Sequence, residues 1–183
     1  MSRRALHLMR HGEPQLTGRM LGHLDIPATD AGIRACALRG SPLRPLRIVS
    51  SDLQRAQACA AALGAFDIDA RWRELDFGRW DGLAAADIDP DALGAFWEDP
   101  DACPPPGGER WSDLVARVRD ALESLPPEPV LVVSHAGAMR AALQVLMGLS
   151  FRQCWHVDLP YAALLSFQVG TEPLSGQLTG LQT

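Results

Sequence analysis

Short apolar runs alternate with stretches of helical periodicity along the 183 residues, a pattern that predicts strands alternating with helices around a mostly parallel sheet. Leu6 to Met9 predicts a first strand. Thr29 reads as the N-cap of a helix through Ile33, Ala37 and Leu38 that stops at Gly40. Leu46 to Val49 predicts a second strand, with Ser50-Ser51-Asp52 capping an Ala-rich helix to Leu63, and Ile68 to Trp72 a weaker third. Trp111, Leu114, Val115, Val118, Leu122 and Leu125 form one stripe of a helix running from Glu109 to Leu125, ended by Pro126-Pro127. Val130 to Val133 is apolar without a break, as in a strand covered on both faces. Ser134-His135-Ala136-Gly137 then opens a helix through Met139, Leu143 and Met147 to Gly148, and the tail from Trp155 reads as one or two edge strands.

Between these elements, residues 77–108 are rich in Gly, Asp and Pro, and Cys103-Pro104-Pro105-Pro106-Gly107-Gly108 suits neither helix nor central strand. The stretch reads as an excursion from one domain spanning 1–183, with a short helix near Leu93 to Trp97. The length suits that single domain, and 47% hydrophobic with 21% charged residues excludes a disordered or collagen-like chain.

Charge narrows the function. The net charge of −5 argues against a nucleic-acid binder with a broad basic face, yet leaves room for a small pocket lined by a few cations. All 17 basic residues are Arg, and Asn is absent too; a GC-rich gene explains both, so no Arg is singled out for not being Lys. Cys36, Cys59, Cys103 and Cys154 form no C-x-x-C pair and read as reduced thiols in a cytoplasm. Among the cysteines and histidines only Cys154 and His156 are close neighbours, so no metal site or cofactor is expected. Ser2-Arg3-Arg4 is followed by too short an apolar stretch for a targeting segment, and no run is long enough for a membrane span.

The chemistry collects where strands end. The first predicted strand exits into Arg10-His11-Gly12-Glu13, the second into Ser51 and a helix whose first turn carries Arg55, the third near Glu74, and the fourth into His135. Ligands of parallel α/β sheets bind at these ends, and helix N-termini there favour anions. Two Arg, two His and one Glu would converge on one crevice, and the arginine fork matches phosphate. Singly, each has a plainer reading: Arg55 as a solvated surface residue, a His as a satisfied structural group, Gly12 and Gly137 as turn glycines that let a strand bend into a helix. His7, His23 and His156 are read as structural.

Arg10-His11-Gly12 after a short N-terminal strand resembles the signature of the histidine phosphatase superfamily, the phosphoglycerate-mutase-like proteins. Ser51-Asp52-Leu53-Gln54-Arg55-Ala56, Glu74 through Gly82, and Val133-Ser134-His135-Ala136-Gly137 resemble its further motifs, in order. The resemblance implies a three-layer α/β sandwich with helices on both faces of the sheet. It implies that His11 is the nucleophile, that Arg10, Arg55 and His135 clamp the phosphoryl oxygens, and that Glu74 is the general acid and then base. The chemistry asks for a neutral imidazole beside fixed positive charge, and for no metal. Pro14, Asp81 and Ala136 depart from the family's usual residues, none at these five positions.

The expected substrate is a small-molecule phosphomonoester, with no nucleic-acid or membrane partner; the oligomeric state stays open, a homodimer being the candidate. Residues 95–118 and the Gly18 to Gly32 stretch look most like α-ribazole phosphatases of cobalamin synthesis, which release a flat riboside. A broad-specificity phosphatase or phosphoglycerate mutase is the alternative within the superfamily, and a non-catalytic phosphate-binding module the alternative outside enzymes. Phe96, Trp97 and Trp111 read first as core, and more sharply as a wall for the leaving group.

Overall fold

The computed structural model describes residues 3–45 and 47–183, so Ser2 of the basic N-terminal run and Leu46 of the second expected strand lie outside the described residues. Strand β1 (Arg3–Arg10) is followed by α1 (Asp30–Gly40), β2 (Arg47–Ser50), α2 (Gln54–Ala61) and β3 (Asp67–Ile68). The excursion carries α3 (Pro90–Glu98). Helix α4 (Trp111–Glu123), β4 (Val130–Ser134), α5 (Ala136–Met147), α6 (Phe151–Cys154), β5 (Leu164–Thr171) and β6 (Leu174–Gln182) complete the order.

The six strands form one sheet in the order β3-β2-β4-β1-β5-β6. The first four are mutually parallel, and β5 and β6 run antiparallel at one side. Alternation along the strands fills two cores. Leu6, Leu8, Val130 and Val132 pack with α4 and α5, while Met9, Ile48, Leu131 and Val133 pack with α1 and α2. Helices therefore cover both faces, the expected three layers.

Local chemistry explains most element ends. Thr29 Oγ1 accepts from Gly32 N and starts α1, and Gly148, at φ 71, closes α5. Two expectations are corrected. The third strand has two residues instead of five, because Asp69 Oδ1 accepts from Arg71 N and turns the chain into a 3-10 turn over Ala70–Trp72. Leu53, not the Ser50-Ser51-Asp52 group, is the N-cap of α2; its first amide donates instead to Asp25 Oδ1, 29 residues upstream. Of the one or two edge strands expected in the tail, β6 is the edge strand, and β5 sits inside the sheet between β1 and β6. Helix α6, with its Ser150–Gln153 capping box, has too few residues to show a period in sequence.

Register positions the functional ends. Arg10 pairs with Ser134, and Ser50 with Val133, so β1, β4 and β2 terminate side by side. Each next residue, His11, His135 and Ser51, emerges at the same edge.

Candidate active site

His11 stands one residue beyond β1, its amide donating to Ser134 O at 2.9 Å and its carbonyl accepting from Ala162 N at 3.1 Å. The next peptide is held from below, as Gly12 N donates to Cys59 Sγ at 3.2 Å. A Cβ on Gly12 would lie 2.2 Å from the carbonyl carbon of Gly32 in α1, so the loop rests backbone to backbone on the helix. Neither Gly12 nor Gly137 has a positive φ; close approach, not a left-handed turn, requires glycine at both.

His11 is 5% exposed. Its Nδ1–H donates to Gly12 O at 2.7 Å, which fixes the tautomer and leaves the Nε2 lone pair unprotonated. Burial, then Arg55 and Arg10, hold its pKa well below the ordinary imidazole value, so the ring is neutral. His135 precedes α5, fully buried, its ring centroid 5.0 Å from that of His11. Its Nε2 and Ser51 Oγ share a 2.7 Å hydrogen bond, while its Nδ1 has no partner. Burial, then Arg55, His11 and Arg10, push its pKa down as well.

Arg55 is fully buried in the first turn of α2, so its plainer reading as a solvated surface residue is corrected. Its guanidinium donates to Leu24 O at 2.9 Å and Gly22 O at 2.7 Å. That loop is itself gathered by Asp81, whose carboxylate accepts from the amides of Gly22, His23 and Leu24 at 2.7–2.9 Å. Arg10 Nη1 donates to Leu159 O at 2.6 Å, and its guanidinium lies 4.1 Å over the Tyr161 ring. Both arginines are thus oriented mainly by carbonyls and a ring, which leave their charge uncancelled. The Nε of each has no hydrogen-bond partner. Buried polar groups without partners are costly, and three of them (on Arg10, Arg55 and His135) lie around one imidazole. The cradle fits a group with several anionic oxygens.

Glu74 brings the opposite charge. It is 9% exposed, Oε1 accepting from Leu75 N at 2.9 Å and Oε2 from Gly137 N at 3.0 Å. Its carbonyl is held by Arg117 Nη2 at 2.9 Å, and Arg117 also binds the carbonyls of Arg71 and Arg73 while forking onto Glu109. His23 Nε2 lies 3.0 Å from the same Glu74 carbonyl, a positioning contact behind a residue expected to be only structural. Among the described residues no group of three His, Cys, Asp or Glu side chains is placed to hold a metal ion.

All five residues singled out from sequence meet at this edge. Asp81, Arg117, Tyr161 and Arg140 were not foreseen. Arg140 carried a readable signal, being the one charge in the otherwise apolar run from Ala136 to Leu143. Beside Glu74, a cavity of about 60 Å³ is lined by Phe96, Trp97, Trp111, Phe151, Trp155 and Arg140 among others. Phe96 and Trp111 are buried core residues that also wall this cavity, while Trp97 is 37% exposed.

Residues 6–175 match the model of the histidine phosphatase superfamily, branch 1. A glucosyl-3-phosphoglycerate phosphatase of Mycobacterium tuberculosis is 35% identical over 174 residues, covering 81% of this chain and 78% of the relative. The solved structure of a mycobacterial glucosyl-3-phosphoglycerate phosphatase aligns with TM-score 0.84 at 30% identity, covering 96% of this chain and 97% of that one. A candidate α-ribazole-5′-P phosphatase of Escherichia coli aligns with TM-score 0.85 at 24% identity, over 98% and 96% of the two chains, a likeness of fold.

Proposed function

The chain belongs to the histidine phosphatase superfamily and is a phosphatase, and from that premise we propose that it hydrolyses small-molecule phosphomonoesters through a phosphohistidine on His11, without a metal. The observation that carries the reading is a neutral imidazole, tautomer fixed by Gly12 O, beside two guanidinium groups and a second imidazole that each keep one buried nitrogen without a partner.

His11 Nε2 attacks phosphorus as the P–O ester bond breaks. Arg10, Arg55 and His135 hold the non-bridging oxygens, supplying the charge stabilisation and positioning that dominate phosphoryl transfer. Glu74 gives a proton to the departing alkoxide, then takes one from the water that cleaves the P–N bond and releases phosphate. Proton transfer of this kind is worth about 10²–10⁴-fold. The backbone amides of Leu75 and Gly137 aim the carboxylate for both steps.

Two leaving groups have support. The aromatic wall and the residues 95–118 support the flat riboside of α-ribazole 5′-phosphate. The cavity's modest volume and the 35% identical glucosyl-3-phosphoglycerate phosphatase support a phosphoglycerate-type ester. We place the activity in one domain and in a reducing compartment such as the cytoplasm, which suits the four free thiols. No helix of the described residues is long and apolar enough to cross a membrane.

The test is p-nitrophenyl phosphate hydrolysis in excess EDTA, with rapid acid-free quenching to trap the phosphoenzyme. Full activity in EDTA, an acid-labile phosphoenzyme, and loss of both in His11→Ala are expected. Activity that survives His11→Ala removes the nucleophile assignment.

A further inference from the structure

The loop that anchors Arg55 also touches the proton donor. Its amides from Gly22 to Leu24 are gathered by the Asp81 carboxylate, and its carbonyls at Gly22 and Leu24 grip the Arg55 guanidinium. The same loop lies backbone to backbone along the segment after Glu74, where a Cβ on Gly22 would sit 2.5 Å from Leu75 O and 2.9 Å from Phe77 N. His23 is the middle residue of this held loop. Its side chain reaches Glu74 itself, Nε2 lying 3.0 Å from the Glu74 carbonyl oxygen.

Chemistry fixes the direction of that bond. A carbonyl oxygen only accepts, so Nε2 carries the proton and donates. Nδ1, at 3.6 Å from Asp76 Oδ2, is beyond hydrogen-bond length. Arg117 Nη2 donates to the same Glu74 oxygen at 2.9 Å, so both of its lone pairs are engaged. The peptide held in this way is the one that aims the carboxylate. Glu74 C=O and Leu75 N–H belong to one planar trans unit and point in opposite directions, and Leu75 N donates to Glu74 Oε1 at 2.9 Å. A peptide that rocks about its flanking Cα atoms moves both ends together. Holding the carbonyl therefore holds the amide, and with it a carboxylate whose other oxygen is steadied by Gly137 N.

We propose that His23 is a positioning residue for proton transfer: its Nε2–H, projected from the loop that orients Arg55, fixes the Glu74–Leu75 peptide and so keeps the carboxylate in register with the arginine that grips the phosphoryl group. The proposal deepens the phosphohistidine reading and rests on it. His23 touches no reacting atom and acts through Glu74. Its effect on kcat/KM, which reports the steps up to departure of the alcohol, falls on leaving groups that need a proton.

The experiment reads kcat/KM for an alkyl phosphate and for p-nitrophenyl phosphate in wild type, His23→Asn and His23→Gln. The amide nitrogen of glutamine stands as many bonds from Cα as His Nε2 does, and that of asparagine stands nearer, so only glutamine keeps a donor within reach of the carbonyl. His23→Asn lowers the alkyl ester by about 10–100-fold, the scale on which a misplaced proton donor costs rate, and p-nitrophenyl phosphate by less than about threefold. His23→Gln restores most of the loss. In a Glu74→Gln background His23→Asn costs less than about twofold more, since the group it positions is gone. Equal losses on both esters by a folded His23→Asn overturn the proposal, as do an unchanged alkyl rate, a His23→Gln no better than His23→Asn, or a full additive loss beside Glu74→Gln. Should His23→Asn fail to fold, the ring-nitrogen NMR resonances of wild type decide: a protonated Nε2 on His23 is expected, and a bare one overturns the assignment. Unimpaired p-nitrophenyl phosphate hydrolysis by His11→Ala is the separate signature that the phosphohistidine reading has failed, and the role of His23 falls with it.

Discussion

Gly137→Ala adds one methyl group, and its consequences can be worked from the geometry. The new Cβ would sit 2.0 Å from Glu74 Oε1 and 3.0 Å from its Cδ, where ordinary contact begins near 3.4 Å. The carboxylate must retreat by about 1.4 Å, the difference between 3.4 and 2.0. It is the far end of a flexible side chain, so it can swing away without moving the backbone. Alanine itself gains roughly 0.5–1 kcal/mol over glycine within a helix, which offsets part of the strain. The fold should survive, with a melting temperature within a few degrees of wild type. Catalysis should not: a misplacement of about 1 Å costs on the order of 10²-fold, or about 2.7 kcal/mol. The loss should fall on esters whose leaving group needs the proton. The assay is kcat/KM on an alkyl phosphate beside p-nitrophenyl phosphate, whose phenoxide departs unprotonated. We expect about a hundredfold loss on the first and less than tenfold on the second. An alkyl ester turned over at the wild-type rate, or equal losses on both by a folded variant, would refute the assignment of Glu74 as the proton donor.

Two further outcomes test the supports of the cradle. Asp81→Ala removes the acceptor of three loop amides and frees the carbonyls that hold Arg55, so kcat/KM should fall by roughly 10–100-fold, chiefly through KM; an unchanged KM counts against the loop as the arginine's anchor. Stability in phosphate-free buffer should depend on pH through His11 and His135, whose native pKa values burial and Arg55 depress below the unfolded value of 6.5. Above pH 6.5 their contribution is intact; below it the unfolded chain takes up protons that the native one refuses, and stability falls by up to about 1.4 kcal/mol per pH unit for each ring. Urea melts at pH 7.5 and 5.5 that give the same stability would show that the rings are not held neutral.

The sheet, its flanking helices, Arg10, His11 and His135 were legible in sequence for one reason, while Arg55 and Glu74 were marked by the resemblance of their motifs to those of the superfamily. Parallel strands read as unbroken apolar runs, and the residue after each run must lie at the ligand-binding edge. What was not legible depends on contacts between distant segments. Asp25 capping α2 and Asp81 gathering residues 22–24 are ordinary acidic loop residues until the fold brings their amide partners to them. Gly12 and Gly137 looked like turn residues, because sequence marks glycine but not whether φ or crowding demands it. Tyr161 lies in an irregular stretch with no period to mark it. Strand β5 reads like an edge strand because nothing local reveals that β6 will cover it. Arg140 was the exception, a charge in an apolar helix face whose cost could have been noticed from the sequence alone.

The backbone contact between Gly12 and Gly32 limits how this protein can change. Each position forbids a side chain at the other: a Cβ on Gly32 would come within 2.4 Å of Glu13 N, just as one on Gly12 would strike Gly32. A lineage substituting residues one at a time finds no intermediate in which either is replaced and the imidazole stays in place. Grafting the Arg-His-Gly segment onto another α/β scaffold would likewise have to transplant the second glycine, on its own helix and at the same height, or carry nothing across.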